Sequence, residues 1–321
     1  MIHSGTTRAG MALRAREQLG EDFFGGWQPE DLALFEKYAC PTPGSAGFIT
    51  DFLGAKTATA YLPWAAHLDG GSLTDVPVPD DGLRAEAIEY FALLTSLERS
   101  RDDSFVVIEL GASYAPWACA AGLLARRLGK KSIVLRAVEA SSYFHKLIDK
   151  NFLANGLGEG GDRGLQTRAI RAAVAEKPGT MFFPVVSSAF DNGSAAAASA
   201  PEKDYVGRSI EHEEVPVVTL NDVFEGLTVI DLVHCDIQGA EVDVLVPHVE
   251  LLNSLVKHLF VGTHSRKIEG ILLECLHANG WRLLRERPTK FVHRPELPSL
   301  TGMTTRDGGQ FWVNPRFTVP A

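Results

Sequence analysis

Apolar positions along this chain follow two rhythms. Short continuous runs rich in β-branched residues, at 105–110 (FVVIEL), 132–138, 229–235 and 258–263, have the length and composition of strands buried on both faces. Between them, apolar residues recur at helical spacing over 83–99, 116–128, 143–155 (closed by Gly156), 240–252 and 268–279 (ended by Gly280). Residues 166–174 and 181–185 read as extended, and WRLLRE and GQFWVNP read as two terminal strands. Strands alternating with helices of about 10–15 residues predict an α/β fold, doubly wound, with a mostly parallel sheet covered on both faces. The two terminal strands, with Asp307, Gly308 and Gly309 before the second, suit an antiparallel edge.

Two segments interrupt the rhythm. DVPVPDDG at 75–82 is a proline and aspartate cluster of the kind that marks a linker or long turn, so an accessory region at 1–82 is expected ahead of a main domain at 83–321. The stretch 187–214 is small, polar and alanine-rich without either period, which predicts a surface insertion, with a lid over the site as its functional reading.

Composition narrows the class. There are 31 basic against 40 acidic side chains, a formal net charge of −9, which argues against nucleic acid as a partner because phosphate contacts need a basic face. Four scattered cysteines without a CxxC pair suggest neither a disulfide framework nor a zinc site, and point to a reducing cytoplasm. The first residues break their apolar positions with charges, unlike a signal peptide. The most membrane-like stretch, 105–125, carries Glu109, two glycines and Pro116, so no membrane span is expected.

In an open parallel sheet, ligands bind beyond the carboxyl ends of the strands. The first informative end is Glu109-Leu110-Gly111-Ala112-Ser113-Tyr114-Ala115-Pro116, where Gly111 permits a tight turn and Pro116 suits the first turn of a helix. It is not GxGxxG, and Glu109 would repel a pyrophosphate but attract the ammonium and sulfonium of S-adenosylmethionine (SAM). The second ends in Glu139, placed to accept both hydrogen bonds of a ribose diol. The third delivers Asp236 ahead of Gly239, and the fourth ends in His264.

These segments resemble, in order, the signature of FkbM-type SAM-dependent methyltransferases. The resemblance rests on VIELGASYAPW, AVEASSYFHKLIDKNFLANG, VVTLNDVF and LVHCDIQGAEVDVL, and covers roughly residues 105–284. Its most specific element is Asp236-Ile237-Gln238-Gly239-Ala240-Glu241, with Thr219-Leu220-Asn221-Asp222 upstream. Three positions depart from the family pattern: Ala115 stands at its second glycine, His234 at its lysine and Gln238 at the first glutamate of its E-G-A-E. The resemblance implies a class I, Rossmann-like methyltransferase fold, with SAM as cofactor. It further implies an acceptor that is a sugar, polysaccharide or other natural-product hydroxyl.

The expected cofactor contacts are Glu109, Gly111 and Ala112 at the methionine end and Glu139 at the ribose. The resemblance adds the neighbourhood of Arg171, Ala172 and Ala173 near the adenine. An aliphatic hydroxyl must lose its proton during attack. His264 is therefore expected as general base, with Asp236 orienting it or binding the acceptor. Alternatively, Asp236 and Glu241 hold a divalent cation such as magnesium, since oxygen ligands suit it. The acidic run Glu211-His212-Glu213-Glu214 is expected to be solvated, and Tyr143, Phe144 and His145 to pack. A non-catalytic SAM-fold module and a nicotinamide-dependent oxidoreductase are the other classes considered. The N-terminal region is open to covering the site, binding acceptor or mediating self-association into a homo-oligomer.

Overall fold

The computed structural model describes residues 25–158, 164–191, 193–200, 202–203, 209–297, 299 and 301–317. The first 24 residues of the expected accessory region and residues 192, 201 and 204–208 of the insertion lie outside them.

Seven strands form the main sheet: β1 (Ser104–Leu110), β2 (Ser132–Glu139), β3 (Leu165–Arg171), β4 (Leu232–Cys235), β5 (His258–Thr263), β6 (Arg282–Arg287) and β7 (Gly308–Val313). Their order is β6-β7-β5-β4-β1-β2-β3. All neighbours run parallel except β7, which pairs antiparallel with both β5 and β6. The predicted α/β class, parallel core and antiparallel edge are all present.

Eight α-helices accompany these strands among the described residues: α1 (Leu32–Tyr38), α2 (Ala87–Arg99), α3 (Pro116–Arg127), α4 (Ser142–Ala154), α5 (Leu220–Phe224), α6 (Glu241–Leu245), α7 (Val249–Leu255) and α8 (Arg266–Ala278). The period-2 alternation of β1 divides them into two layers. Phe105 and Val107 pack with α1 to α4, while Val106, Ile108 and Leu110 pack with α5 to α8. Burial on both faces is why the central strands read as unbroken apolar runs. From Trp27 onward the N-terminal residues join the first layer, with Leu32 and Phe35 in the same apolar cluster as Ile88 and Trp117.

Two expected helices are corrected by local chemistry. The segment 240–252 is broken into α6 and α7, with Pro247 and His248 between them, because proline cannot donate to the preceding turn. The helix expected over 83–99 begins only at Ala87, since Asp81 Oδ1 accepts the amides of Leu83, Arg84 and Ala85 at 2.8–3.0 Å and holds them in a turn. The Thr219-Leu220-Asn221-Asp222 element is a capping box: Asp222 accepts from the Thr219 amide at 2.8 Å, and Thr219 Oγ1 accepts from the Asp222 amide at 3.3 Å.

Strand order reverses between β1 and β4, so a crevice opens there at the carboxyl ends of both strands. A small sheet of Ala173–Val174, Gly179–Pro184 and His212–Val218 flanks the insertion beside that crevice, with only residues 212–214 of the insertion in it. No described helix is long and apolar enough to cross a membrane.

Candidate active site

The turn after β1 is dictated by close approach. Gly111 has φ +74°, and a Cβ on it would lie 1.8 Å from the Asp236 carbonyl oxygen, so the β1 and β4 ends can meet only at glycine. The amides of Gly111 and Ala112 donate to the Val138 carbonyl at 3.0 and 2.9 Å. Ala115, where the family pattern has glycine, holds the left-handed conformation (φ 58°, ψ 54°) at the N-cap of α3. Alanine therefore performs the same turn at a cost of about 1–2 kcal/mol.

Glu109 is buried on the α3 side of the sheet. Its carboxylate accepts from the Ala118 amide at 2.7 Å and from the Trp117 amide at 3.3 Å. Burial pushes its pKa up to about 8 against those two bonds. A carboxyl thus fills the helix N-terminus that a dinucleotide pyrophosphate would need, and with a pKa near 8 it bars the pyrophosphate by occupancy rather than by the charge expected from the sequence.

Glu139, at the end of β2, accepts from the Ser113 amide and from the Ser141 amide, both at 2.7 Å. A carboxylate offers about four acceptor positions, so two remain for a diol. Burial raises its pKa to about 7, with the amide bonds opposing. The Ala172 amide donates to the Glu139 carbonyl at 3.1 Å, which brings Ala172 and Ala173 to the same cavity wall. Val174, Met181, Phe183 and Phe144 extend that wall as an apolar surface. Arg171 points elsewhere, pairing with Glu213 at 2.6 Å, and Glu213 also accepts the Ser142 amide at 2.9 Å. The acidic run is thus partly engaged in the fold rather than wholly solvated, and Phe144 faces the cavity as well as packing.

Asp236 emerges from β4 into the crevice, in space that Gly262 of β5 leaves open: a Cβ there would lie 3.0 Å from the Asp236 Cγ. Its Oδ1 meets His264 Nε2 at 3.2 Å and accepts from Gln238 Nε2 at 3.1 Å, leaving Oδ2 without a partner among the described residues. The other ring nitrogen, His264 Nδ1, meets Glu241 Oε1 at 2.9 Å, and that same oxygen accepts the Ile237 and Gly239 amides. His264 and Glu241 are buried, whereas the Asp236 side chain keeps 36% of its surface accessible. Burial alone would lower the His264 pKa, but the two carboxylates overcome it and hold the imidazole well above its ordinary value. Burial of Asp236 acts to raise its pKa, but His264, with His234 and Gln238, keeps it below the ordinary carboxylate range. Each ring nitrogen of His264 thus faces a carboxylate, an arrangement that favours the protonated ring.

The donors of Asp236, Glu241 and His264 lie within 4.8 Å of one another. One atom of each is therefore close enough to share a small cation, while in the described arrangement His264 bridges the two carboxylates directly.

Glu109, Gly111, Ala112, Glu139, Ala172, Ala173 and Asp236 line a single cavity of about 180 Å³, whereas His264 and Glu241 do not reach it. Among its polar and aromatic residues, sequence reasoning did not foresee Arg84, Glu89 or Trp117, and it named His234 only as a departure from the family pattern. His234 is stacked between Trp117 and Phe260, with ring centroids 5.3 and 4.7 Å away. Burial drives its pKa down to about 4, so it is a neutral ring at the position of the family's lysine. The signal for it was a polar residue inside the apolar run LVHC. Gly193, Ser194 and Ala196 of the insertion also line the cavity, so that segment supplies part of the wall.

A β3-β2-β1-β4-β5-β7-β6 sheet, with a glycine turn after β1, an acidic side chain ending β2 and an open crevice at β4, is a class I SAM-methyltransferase fold. The description "Methyltransferase FkbM domain" matches residues 109–275, just over half of the chain. The chain belongs to the FkbM methyltransferase family. A protein of Jannaschia sp. (strain CCS1) named "Putative methyltransferase" is 27% identical over 259 residues, covering 79% of this chain and 90% of that one. Among solved structures, the C-terminal domain of precorrin-6Y C5,15-methyltransferase from Rhodobacter capsulatus overlaps with a TM-score of 0.38 at 14% identity, over 72% of this chain and 89% of that one. The ribosomal protein L11 methylase of Lactobacillus delbrueckii subsp. bulgaricus gives 0.34 at 12% identity, over 70% and 78%. These overlaps are loose, and the fold class stands on the strand order of the chain itself.

Proposed function

We propose that this methyltransferase transfers the methyl group of SAM to a hydroxyl of a sugar-like or other natural-product acceptor, with Asp236 receiving the proton. SAM would lie across the ends of β1 and β2, its ribose at Glu139, its adenine against Ala172 and Ala173 and its methionine end over Gly111 and Ala112. The acceptor oxygen forms a bond to the methyl carbon as the sulfonium bond breaks and sulfur takes the electron pair. S-adenosylhomocysteine leaves, and the hydroxyl proton passes to an acceptor in the protein. Displacement of this kind depends on alignment in a site that excludes water, and the reaction removes the sulfonium charge.

The observation that carries this reading is the Asp236–His264–Glu241 chain. It leaves Asp236 as the ionised, partly accessible group at the cavity, with Oδ2 free among the described residues and Oδ1 fixed by His264 and Gln238. His264 then acts as a positioning residue, kept charged by Glu241. Residues 1–82 belong to the same reading as an accessory region, whose Gly25, Trp27 and residues 79–82 line a depression beside Arg84.

The test is methyl transfer from radiolabelled SAM to a panel of glycosides and hydroxylated natural products by wild-type and Asp236→Asn enzyme. Transfer to a hydroxylated acceptor, reduced on the order of 100-fold or more in the variant with unchanged S-adenosylhomocysteine affinity, supports the assignment. Equal rates would remove Asp236 from the chemistry, and transfer confined to amines would replace the acceptor class.

A further inference from the structure

SAM carries a carboxylate beside its ammonium and sulfonium, and the turn that would receive its methionine end has spent most of its anion-binding donors. The Gly111 and Ala112 amides are on Val138, that of Ser113 on Glu139, that of Ala115 on the Ala112 carbonyl, and those of Trp117 and Ala118 on Glu109. Glu89, Glu109, Glu139 and Asp236 all line the cavity as acids. Among the described residues lining it, Arg84 is the one arginine or lysine.

Arg84 is held for such a role. Its side chain is 8% exposed, Nη1 donates to Thr57 Oγ1 at 2.5 Å, and Nη2 pairs with Asp51 Oδ2 at 3.1 Å. The guanidinium lies beside the Tyr114 hydroxyl, at the glycine turn. Its Nε finds no acceptor. A guanidinium has five donors, so this one keeps capacity for a carboxylate after serving Thr57, Asp51 and the Tyr114 hydroxyl.

We propose that Arg84, brought in by the segment ahead of α2, binds the α-carboxylate of SAM. This rests on the SAM reading above, and makes the N-terminal part of the chain a contributor to the cofactor site. Charge-assisted hydrogen bonding to a carboxylate in a poorly hydrated cavity sets the expected preference.

The experiment compares calorimetric titrations with SAM and with decarboxylated SAM, which lacks only that carboxylate, on wild type, Arg84→Lys and Arg84→Gln. Wild type is expected to favour SAM by roughly 10- to 100-fold. Arg84→Lys should keep part of the preference, and Arg84→Gln should bring it close to one with little change in affinity for decarboxylated SAM. Thermal unfolding of each variant monitors the loss of the Asp51 pair. A wild type that binds both ligands equally overturns the proposal without any variant. So does an Arg84→Gln protein that weakens both ligands alike, or one that retains the full preference. Failure of wild type to bind either ligand would instead overturn the SAM reading, and this proposal with it.

Discussion

Replacing Gly111 with alanine tests how tightly the fold and the site are joined. The new Cβ would start 1.8 Å from the Asp236 carbonyl oxygen, at a φ of +74° that disfavours any L side chain. The conformation alone costs about 1–2 kcal/mol. Relieving the contact moves the end of β4, where the Asp236 amide donates to the Leu110 carbonyl at 2.9 Å, and loss of that bond adds about 1 kcal/mol. The expected destabilisation is therefore about 3 kcal/mol, a large share of the roughly 5–15 kcal/mol of a folded domain. The displaced Asp236 carries a further consequence, since misplacement of a reacting group by about 1 Å costs on the order of 100-fold in rate. Gly129→Ala is the control, with φ +73° but no atom within 4 Å of the new Cβ. It should lose only the conformational 1–2 kcal/mol and keep full activity. Urea unfolding and single-turnover methyl transfer on both variants provide the readout. A Gly111→Ala protein matching the Gly129→Ala protein in both stability and rate would refute the reasoning.

Two further outcomes follow from the charged groups. Glu241→Gln removes the carboxylate on His264 Nδ1 and should destabilise the protein by about 3–5 kcal/mol, measured by urea unfolding. Because the folded His264 pKa is raised, that contribution is fully present below the unfolded value near 6.5 and is lost as pH rises through the folded value, so the gap between wild type and variant should narrow on the alkaline side. A gap that does not change with pH would mean that the imidazole is neutral. Glu139, with its pKa raised to about 7, is mostly protonated at pH 6 and mostly ionised at pH 8. The ionised form accepts both diol hydrogen bonds, so affinity for S-adenosylhomocysteine should rise with pH across that interval and flatten in Glu139→Gln; calorimetry that finds the same slope in both would detach Glu139 from the ribose.

The sheet was legible because strands buried on both faces read as unbroken apolar runs, and its antiparallel edge because Gly308 and Gly309 precede a second terminal run. Boundaries failed where a local hydrogen bond or a proline outweighed the apolar period, as at Asp81 and Pro247. Strand ends led to Asp236 and Glu139, which the fold brings to one cavity, and to His264 beside it, but the environment of His264 depends on Glu241, which reaches it across 23 residues of chain. Nothing in a linear pattern shows that both nitrogens of one ring meet carboxylates. Arg84, Glu89 and Trp117 escaped notice for a related reason: each lies away from a strand end and enters the cavity only through the packing of α2 and α3 on the sheet.

The central claim is that SAM lies across the ends of β1 and β2 with its ribose on Glu139. Calorimetric titration of wild-type and Glu139→Ala protein with S-adenosylhomocysteine, and with NAD in parallel, addresses it directly. The account predicts wild-type affinity on the order of micromolar, at least about tenfold weaker binding in the variant through loss of charge-assisted bonds to the diol, and no binding of NAD. Binding of NAD, or no binding of S-adenosylhomocysteine by the wild type, would contradict it.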